Sequence, residues 1–205
     1  MTGVLFALER EAAPFRRLVR GRQDVAVRVS GVGRAAAQVT ALRLVDEVRP
    51  DRVIAAGFCG ALDPGLKVGD IVVSPRIVTV DRIVGPPGEK AALRASAGAD
   101  AVDMESAAVE EACRERGVSF FAVRAVSDTA DAELSPELVR LLSGGTVSVP
   151  RVLLALVRRP ALLPEFLRLG RDTATAAGTL ARALVAKLDQ EAGASDTITS
   201  SRSRT

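Results

Sequence analysis

Short apolar runs alternate along this chain with charged, amphipathic stretches, and that alternation limits the fold more than any other feature. Thr2 to Leu8 reads as a buried strand and Glu9 to about Arg20 as an amphipathic helix. Val25 to Ser30 is a second strand, ending at Gly31-Val32-Gly33 and leading into an Ala-rich helix over Arg34 to Val48. Val53 to Ala56 is apolar without alternation, as a strand covered on both faces must be. Ile71 to Ser74 and Arg76 to Asp81 are further strands, and Pro86-Pro87-Gly88 breaks the chain before a short helix. Ala101 to Asp103 is a brief strand, Met104 to Arg116 a helix with Met104, Ala108 and Ala112 on one face, and Ser119 to Val126 another two-face strand. Ser135-Pro136 reads as an N-cap with proline at the first helical position. Strands that alternate with helices predict a mostly parallel sheet covered on both sides, an α/β three-layer sandwich.

The chain has 205 residues, room for one such domain. Ser143 to Val149, with Gly144-Gly145, is the clearest linker. The expected division is an α/β domain over 1–145, a helical C-terminal extension over 146–190 and a disordered tail over 191–205. Pro150 to Leu188 is expected to be helical, with Leu180, Leu184 and Leu188 on one stripe. The tail, ending GASDTITSSRSRT, is polar and lacks periodicity. From Arg151 to Asp172 there are five Arg and two acidic residues among many Leu. Two readings are open: helices packed on the domain or across a homo-oligomer interface, or a basic amphipathic stretch (151–172) making peripheral contact with an anionic membrane.

Composition excludes several chemistries. There is no His, so a Ser-His-Asp or Cys-His pair and a His-based zinc site are ruled out. Cys59 and Cys113 form no CxxC and indicate neither a disulfide framework nor a redox motif. Acid–base chemistry must fall to Asp and Glu. A formal charge of +3, from 28 basic and 25 acidic residues, does not make a nucleic-acid binder. Nearly all the cations are Arg; Lys stands only at 67, 90 and 187. The longest charge-free runs, such as Val53 to Leu62, are ten residues, too short to span a bilayer. The start of the chain lacks a basic n-region and meets Glu9 early, so no signal peptide is expected and the protein is expected in the cytoplasm.

Gly31-Val32-Gly33-Arg34-Ala35-Ala36 fits G-x-G-x-x-A between a strand and a helix. A dinucleotide site also needs an acid at the end of the next strand, whereas Asp51 precedes that strand. Two readings of the turn are left: tight helix–sheet packing, or a helix N-terminus receiving an anion or a ribose hydroxyl. Three other segments carry acids just past strands. ALEREAAPF holds Glu9 and Glu11, AVDMESAAV holds Asp103 and Glu105, and FFAVRAVSDTAD holds Arg124, Asp128 and Asp131. Each acid alone has a structural explanation, as a helix N-terminal charge or a turn residue. In an open parallel sheet, however, ligands sit beyond the carboxyl ends of the strands, so the three could converge on one crevice. Glu9 and Glu11, two apart at a helix start, cannot face the same way, so only one should enter it.

GFCGALDPGLKVGDIVVS, AVDMESAAVEEAC and SFFAVRAVSDTAD strongly resemble the nucleoside phosphorylase superfamily, and within it the methylthioadenosine/S-adenosylhomocysteine nucleosidases. The likeness spans Met1 to about Leu142. The C-terminal region from RRPALLPEFLRLG onward looks more like the hopanoid-associated phosphorylases of the same superfamily. The resemblance implies cleavage of the N-glycosidic bond of a purine nucleoside without a cofactor or metal. It implies that Asp128 protonates the purine at N7, that Glu105 holds the ribose hydroxyls, and that Glu11 helps to activate water, supported by Arg124. Gly31 and Gly33 would lie beside the sugar, with Gly57, Phe58, Cys59 and Gly60 near the nucleophile, and Asp103 and Met104 completing the substrate contacts. Such a cleavage passes through an oxocarbenium-like transition state, so it wants a proton donor at the base and acceptors around the sugar. A carboxylate at Glu11 suits water as nucleophile, while Arg34 could serve phosphate. Phosphorolysis, perhaps of a lipid-linked nucleoside, and a non-catalytic nucleotide-binding protein are the alternatives.

The sequence departs from the family pattern in three places. The glycine-rich turn reads Gly57-Phe58-Cys59-Gly60-Ala61, with Phe58 where the nucleosidases have a small hydroxyl residue. Ser74-Pro75-Arg76 joins two strands that the family separates by a much longer segment, so the sheet is shortened in the middle. Ile83 falls where an aromatic ring faces the adenine, and with no Tyr or Trp in the chain stacking must come from a Phe or a neighbouring subunit.

Overall fold

Residue parity along the strands divides the core into two layers, one on each face of a central sheet. The computed structural model describes residues 1–133, 135 and 163–202, with side chains described through 190. Its strands are β1 (Thr2–Phe6), β2 (Val25–Val29), β3 (Arg52–Ala61), β4 (Ile71–Val73), β5 (Ile77–Thr79), β6 (Ala101–Asp103) and β7 (Ser119–Asp128). The helices are α1 (Glu9–Leu18), α2 (Arg34–Val48), α3 (Pro87–Ala97), α4 (Ser106–Glu115) and a long α5 (Leu163–Arg202). Val4, Phe6, Ile54, Ala56, Val123 and Ala125 pack with Phe15 of α1 and Leu180, Leu184 and Leu188 of α5. Their neighbours in sequence, Leu5, Val53, Ala55 and Ala122, pack on the opposite face with Leu44 of α2 and Ala108, Val109 and Ala112 of α4. Alternation with period two therefore makes the expected three layers.

β1 pairs in parallel with β2 and β3, β3 with β7, and β5 with β6; β3–β6 and β4–β7 are antiparallel. The sheet is mostly parallel. Its central strand, β3, is covered unevenly. β7 covers one edge from Arg52 to Gly60, whereas the other edge is shared: β1 takes Arg52 to Ala55 and β6 takes Gly60 and Ala61. The edge from Ala56 to Cys59 is left open between them. In addition, Cys59 pairs with Val126 and Gly60 with Asp128, so Ser127 is an extra residue that bulges out of β7.

Gly57-Phe58-Cys59-Gly60-Ala61, expected as a glycine-rich turn, is strand, because β7 continues to pair with it. The helix α5 carries the expected leucine stripe and buries it. It also runs through Arg202, so most of the tail expected to be disordered is helical; a helix that already exists extends without the cost of a new nucleus. The linker at Ser143 to Val149, Ser135-Pro136 as a cap, and most of the basic stretch 151–172 lie outside the described residues. Among the described residues no helix is long and apolar enough to cross a membrane.

Candidate active site

A cavity of about 180 Å³ opens where the edge of β3 is left bare, beyond the carboxyl ends of β1, β6 and β7. Acids from all three strand ends line it: Glu11 after β1, Asp103 and Glu105 at the end of β6, and Asp128 at the end of β7. The crevice expected from the sequence is thus present. Glu9 and Asp131 stay outside it. Glu9 is exposed and pairs with Arg16 at 2.5 Å, and Asp131 is exposed on the turn after β7.

Glu11 enters the site because α1 begins just after β1 and turns this side chain inward. Its Oε2 accepts the N–H groups of Ala7 (3.1 Å) and Leu8 (2.8 Å), and its Oε1 accepts that of Phe58 (2.9 Å). The Phe58 N–H belongs to the unpaired edge of β3, so the carboxylate stands in for a missing strand. Burial pushes the Glu11 carboxyl up to about 6, against the opposing pull of Arg124 and these N–H groups.

Glu105 stands at the residue before α4, and its side chain, rather than capping that helix, reaches across to the Gly31–Gly33 turn. Gly31 and Gly33 have φ of +88° and +100°, a conformation that favours glycine. Gly33 N–H, at the N-terminus of α2, donates to Glu105 Oε1 at 2.9 Å. Of the two readings left open for this turn, the helix N-terminus that receives an anion is met by a carboxylate of the chain itself. Burial raises the Glu105 carboxyl too, opposed by Arg124 and the Gly33 N–H.

Arg124 does not line the cavity; at 1% exposure it is sealed behind it. Its Nη2 lies 2.5 Å from Asp103 Oδ2, 3.9 Å from Glu105 Oε2 and 3.0 Å from Ser106 Oγ. Burial disfavours its charge, but Asp103, Glu105 and Glu11 more than restore it, leaving the guanidinium above the ordinary arginine value. Asp103 is occupied besides by Thr79 Oγ1 (2.7 Å) and by the N–H and hydroxyl of Ser106. It walls the cavity with Oδ2 taken up by Ser106 and Arg124. Gly57, also behind the wall, is what admits this cluster: a methyl there would overlap Arg124 Nη1 and lie 3.0 Å from Glu11 Oε1.

Asp128 owes its direction to the bulge. Consecutive residues of a regular strand face opposite sides, yet Ser127 and Asp128 both line the cavity. Ser127 Oγ lies 2.9 Å from Asp128 Oδ1, and the other oxygen, Oδ2, accepts from Lys90 Nζ at 2.7 Å. Phe58, Cys59, Gly60, Met104, Ile83 and Val84 complete the apolar wall. Burial raises the Cys59 thiol well above its usual range, so it is not a nucleophile at neutral pH. Phe58 is the aromatic ring at the site, with the Arg10 guanidinium 5.8 Å from its centroid. Gly31 does not line the cavity, and Arg34, which pairs with Asp81 at 3.5 Å, does not either.

Sequence reasoning missed Lys90, Ser106 and the α5 residues Leu169 and Thr173, which line the cavity from the far end of the chain. Lys90 had one faint signal, as a rare Lys in an Arg-rich chain.

The family model described as the phosphorylase superfamily matches residues 8–78 and 76–154, two pieces that meet where the sequence appears shortened. A 5′-methylthioadenosine/S-adenosylhomocysteine nucleosidase of Exiguobacterium is 25% identical over 191 residues, covering 68% of this chain and 82% of the relative. That of Staphylococcus aureus strain JH9 is 26% identical over 186 residues, covering 66% and 82%. Among solved structures, Helicobacter pylori futalosine hydrolase superposes with a TM-score of 0.70 at 17% identity, over 92% of this chain and 97% of that one. The nucleosidase of the same organism, solved with butyl-thio-DADMe-Immucillin-A, gives 0.69 at 17% identity over the same shares.

Proposed function

Since the chain belongs to the phosphorylase superfamily, we propose that it hydrolyses the N-glycosidic bond of an adenine nucleoside such as 5′-methylthioadenosine or S-adenosylhomocysteine, releasing the base. One observation carries this reading: Glu11, Glu105 and Asp128, from three distant stretches of the chain, line a single small cavity in a protein without histidine.

The three acids divide the work by their surroundings. As the C1′–N9 bond lengthens, its electron pair moves into the purine ring and positive charge builds on the sugar. Asp128, the acid on the bulge, gives its proton to N7 and so makes the base a competent leaving group. Glu105, buried beside the Gly31–Gly33 turn, accepts from the ribose hydroxyls and sets negative charge near the developing cation. Glu11, with its ordinary acidity weakened by burial, takes the proton of the attacking water. Arg124 balances the buried carboxylates from behind without reaching the substrate. Phe58 is the ring available for an apolar contact with the nucleoside.

The buried Glu11 carboxylate also favours water over phosphate as the nucleophile, because a phosphate entering beside it would meet like charge. Adenine release from several 5′-substituted adenosines, measured with and without phosphate, tests this. Release that does not depend on phosphate is expected. Release only in its presence would make the reaction a phosphorolysis, and none from any substrate would refute the enzymatic reading.

A further inference from the structure

Lys90 lies on α3, an element that contributes nothing else to the acid cluster, and its side chain is 0% exposed. An ammonium removed from water is costly unless all its donors are met and its charge is balanced. Here both conditions hold. Nζ donates to Asp128 Oδ2 at 2.7 Å, to the Thr129 carbonyl at 2.7 Å and to the Ala132 carbonyl at 3.2 Å, using the three donors a lysine has. Its carboxylate partner is the residue already assigned to the leaving group. No other cation is paired with Asp128 among the described residues.

We infer that Lys90 is a positioning residue for leaving-group protonation: by holding Asp128 Oδ2 it turns Oδ1 toward the base and faces the carboxylate that forms when the proton leaves. This rests on the proposed nucleosidase reading. The step balances simply. The Asp128 O–H bond breaks and the N7–H bond forms, while the C1′–N9 electron pair enters the ring. The carboxylate left behind meets a cation already in place, which needs no reorganisation at the moment of reaction. Asp128 keeps 14% side-chain exposure and recovers its proton from solvent, whereas sealed Lys90 does not exchange with it directly. Ser127 Oγ beside Oδ1 completes the fix, so the carboxyl is gripped at both oxygens and cannot rotate freely. The two carbonyl contacts also tie the turn at Thr129–Ala132 to α3, so the same ammonium holds the segment just past the acid.

Two substrates separate this role from a merely structural one. Adenine leaves well only if N7 is protonated, whereas 4-nitrophenolate leaves without an acid. For Lys90→Met and Lys90→Gln, kcat on methylthioadenosine should fall about 100-fold, within the range of roughly 10²–10⁴ for a general acid, with KM within about threefold. On 4-nitrophenyl β-riboside the fall should be at least tenfold smaller. Equal falls on both substrates, or no fall on methylthioadenosine, would overturn the inference while leaving the nucleosidase reading intact. If the single variants do not fold, Asp128→Asn and Asp128→Asn/Lys90→Met decide, since the double variant buries no unpaired charge. Equal rates of adenine release support action through Asp128, and a double variant more than tenfold slower refutes it. A wild-type protein that cleaves neither substrate would fail the nucleosidase reading itself.

Discussion

Replacing Arg124 with Met removes the cation that three buried carboxylates share while keeping most of the side-chain volume. Asp103 loses its ion pair at 2.5 Å, Glu105 its pairing at 3.9 Å, and Ser106 Oγ two donors. Taking one partner from a buried ion pair typically costs about 3–5 kcal/mol, and this site is 1% exposed, so that range applies undiminished. Against an ordinary domain stability of about 5–15 kcal/mol, the loss is large. It should also depend on pH in a definite direction. Without the guanidinium, the Glu11 and Glu105 carboxyls, already raised by burial, move further above their unfolded values, so the native state binds protons that the unfolded state does not. Stability gained this way is present at low pH and lost as pH rises through the native values. Each extra proton is worth about 1.4 kcal/mol per pH unit; because the wild-type Glu11 takes up its own proton near pH 6, the variant gains on wild type mainly between pH 7 and 6, by about 1.4 kcal/mol for that carboxyl. Urea unfolding of both proteins across that span is the assay. A variant within 1 kcal/mol of wild type at pH 7, or a deficit that does not shrink on acidification, would refute the view of Arg124 as the counter-charge of the cluster.

Gly57→Ala should cost at least the 1–3 kcal/mol usual for an overpacked core, read from the urea midpoint, because its methyl overlaps Arg124 and crowds Glu11. Gly88→Ala, where a methyl meets nothing within 4 Å, is the control and should be neutral or slightly stabilising. Leu184→Ala on α5, fully buried against the sheet, should cost about 2–5 kcal/mol; a negligible loss would show that α5 does not belong to the core. Because Glu11 must be ionised to accept a proton from water and its carboxyl is raised to about 6, kcat/KM should fall as pH drops below about 6. A profile flat down to pH 4.5 would remove Glu11 from the role of base.

Local pattern made much of this fold legible. The Ala-rich helix at Arg34–Val48 and the strand at Ala101–Asp103 have their expected bounds, since Gly33 at positive φ opens the helix and Pro50 stands just past its end, while a short apolar run marks the strand. The three acid-bearing segments could be picked out because each comes after an apolar strand, and a parallel sheet gathers such strand ends. Helical geometry allows only one of Glu9 and Glu11 into the crevice, and the family resemblance is what points to Glu11. What escaped the sequence depends on partners far along the chain. Gly57 reads as a turn glycine, yet it sits in a strand and serves as clearance for Arg124, 67 positions on. The bulge at Ser127 arises from register with β3, which no local pattern encodes. Lys90 is 38 positions from Asp128, and nothing in PGEKAALR distinguishes it from a solvated helix lysine. The same holds for Leu169 and Thr173, which belong to a helix that folds back over the site from the opposite end of the chain.

The most direct test measures free adenine from methylthioadenosine in phosphate-free buffer, with wild-type protein and Asp128→Asn side by side. Steady release by the wild type and a loss of at least about 100-fold in the variant are expected, since the asparagine keeps the shape but has no acidic proton to transfer. Equal release by the two proteins would contradict the assignment of Asp128 as the acid that frees the base.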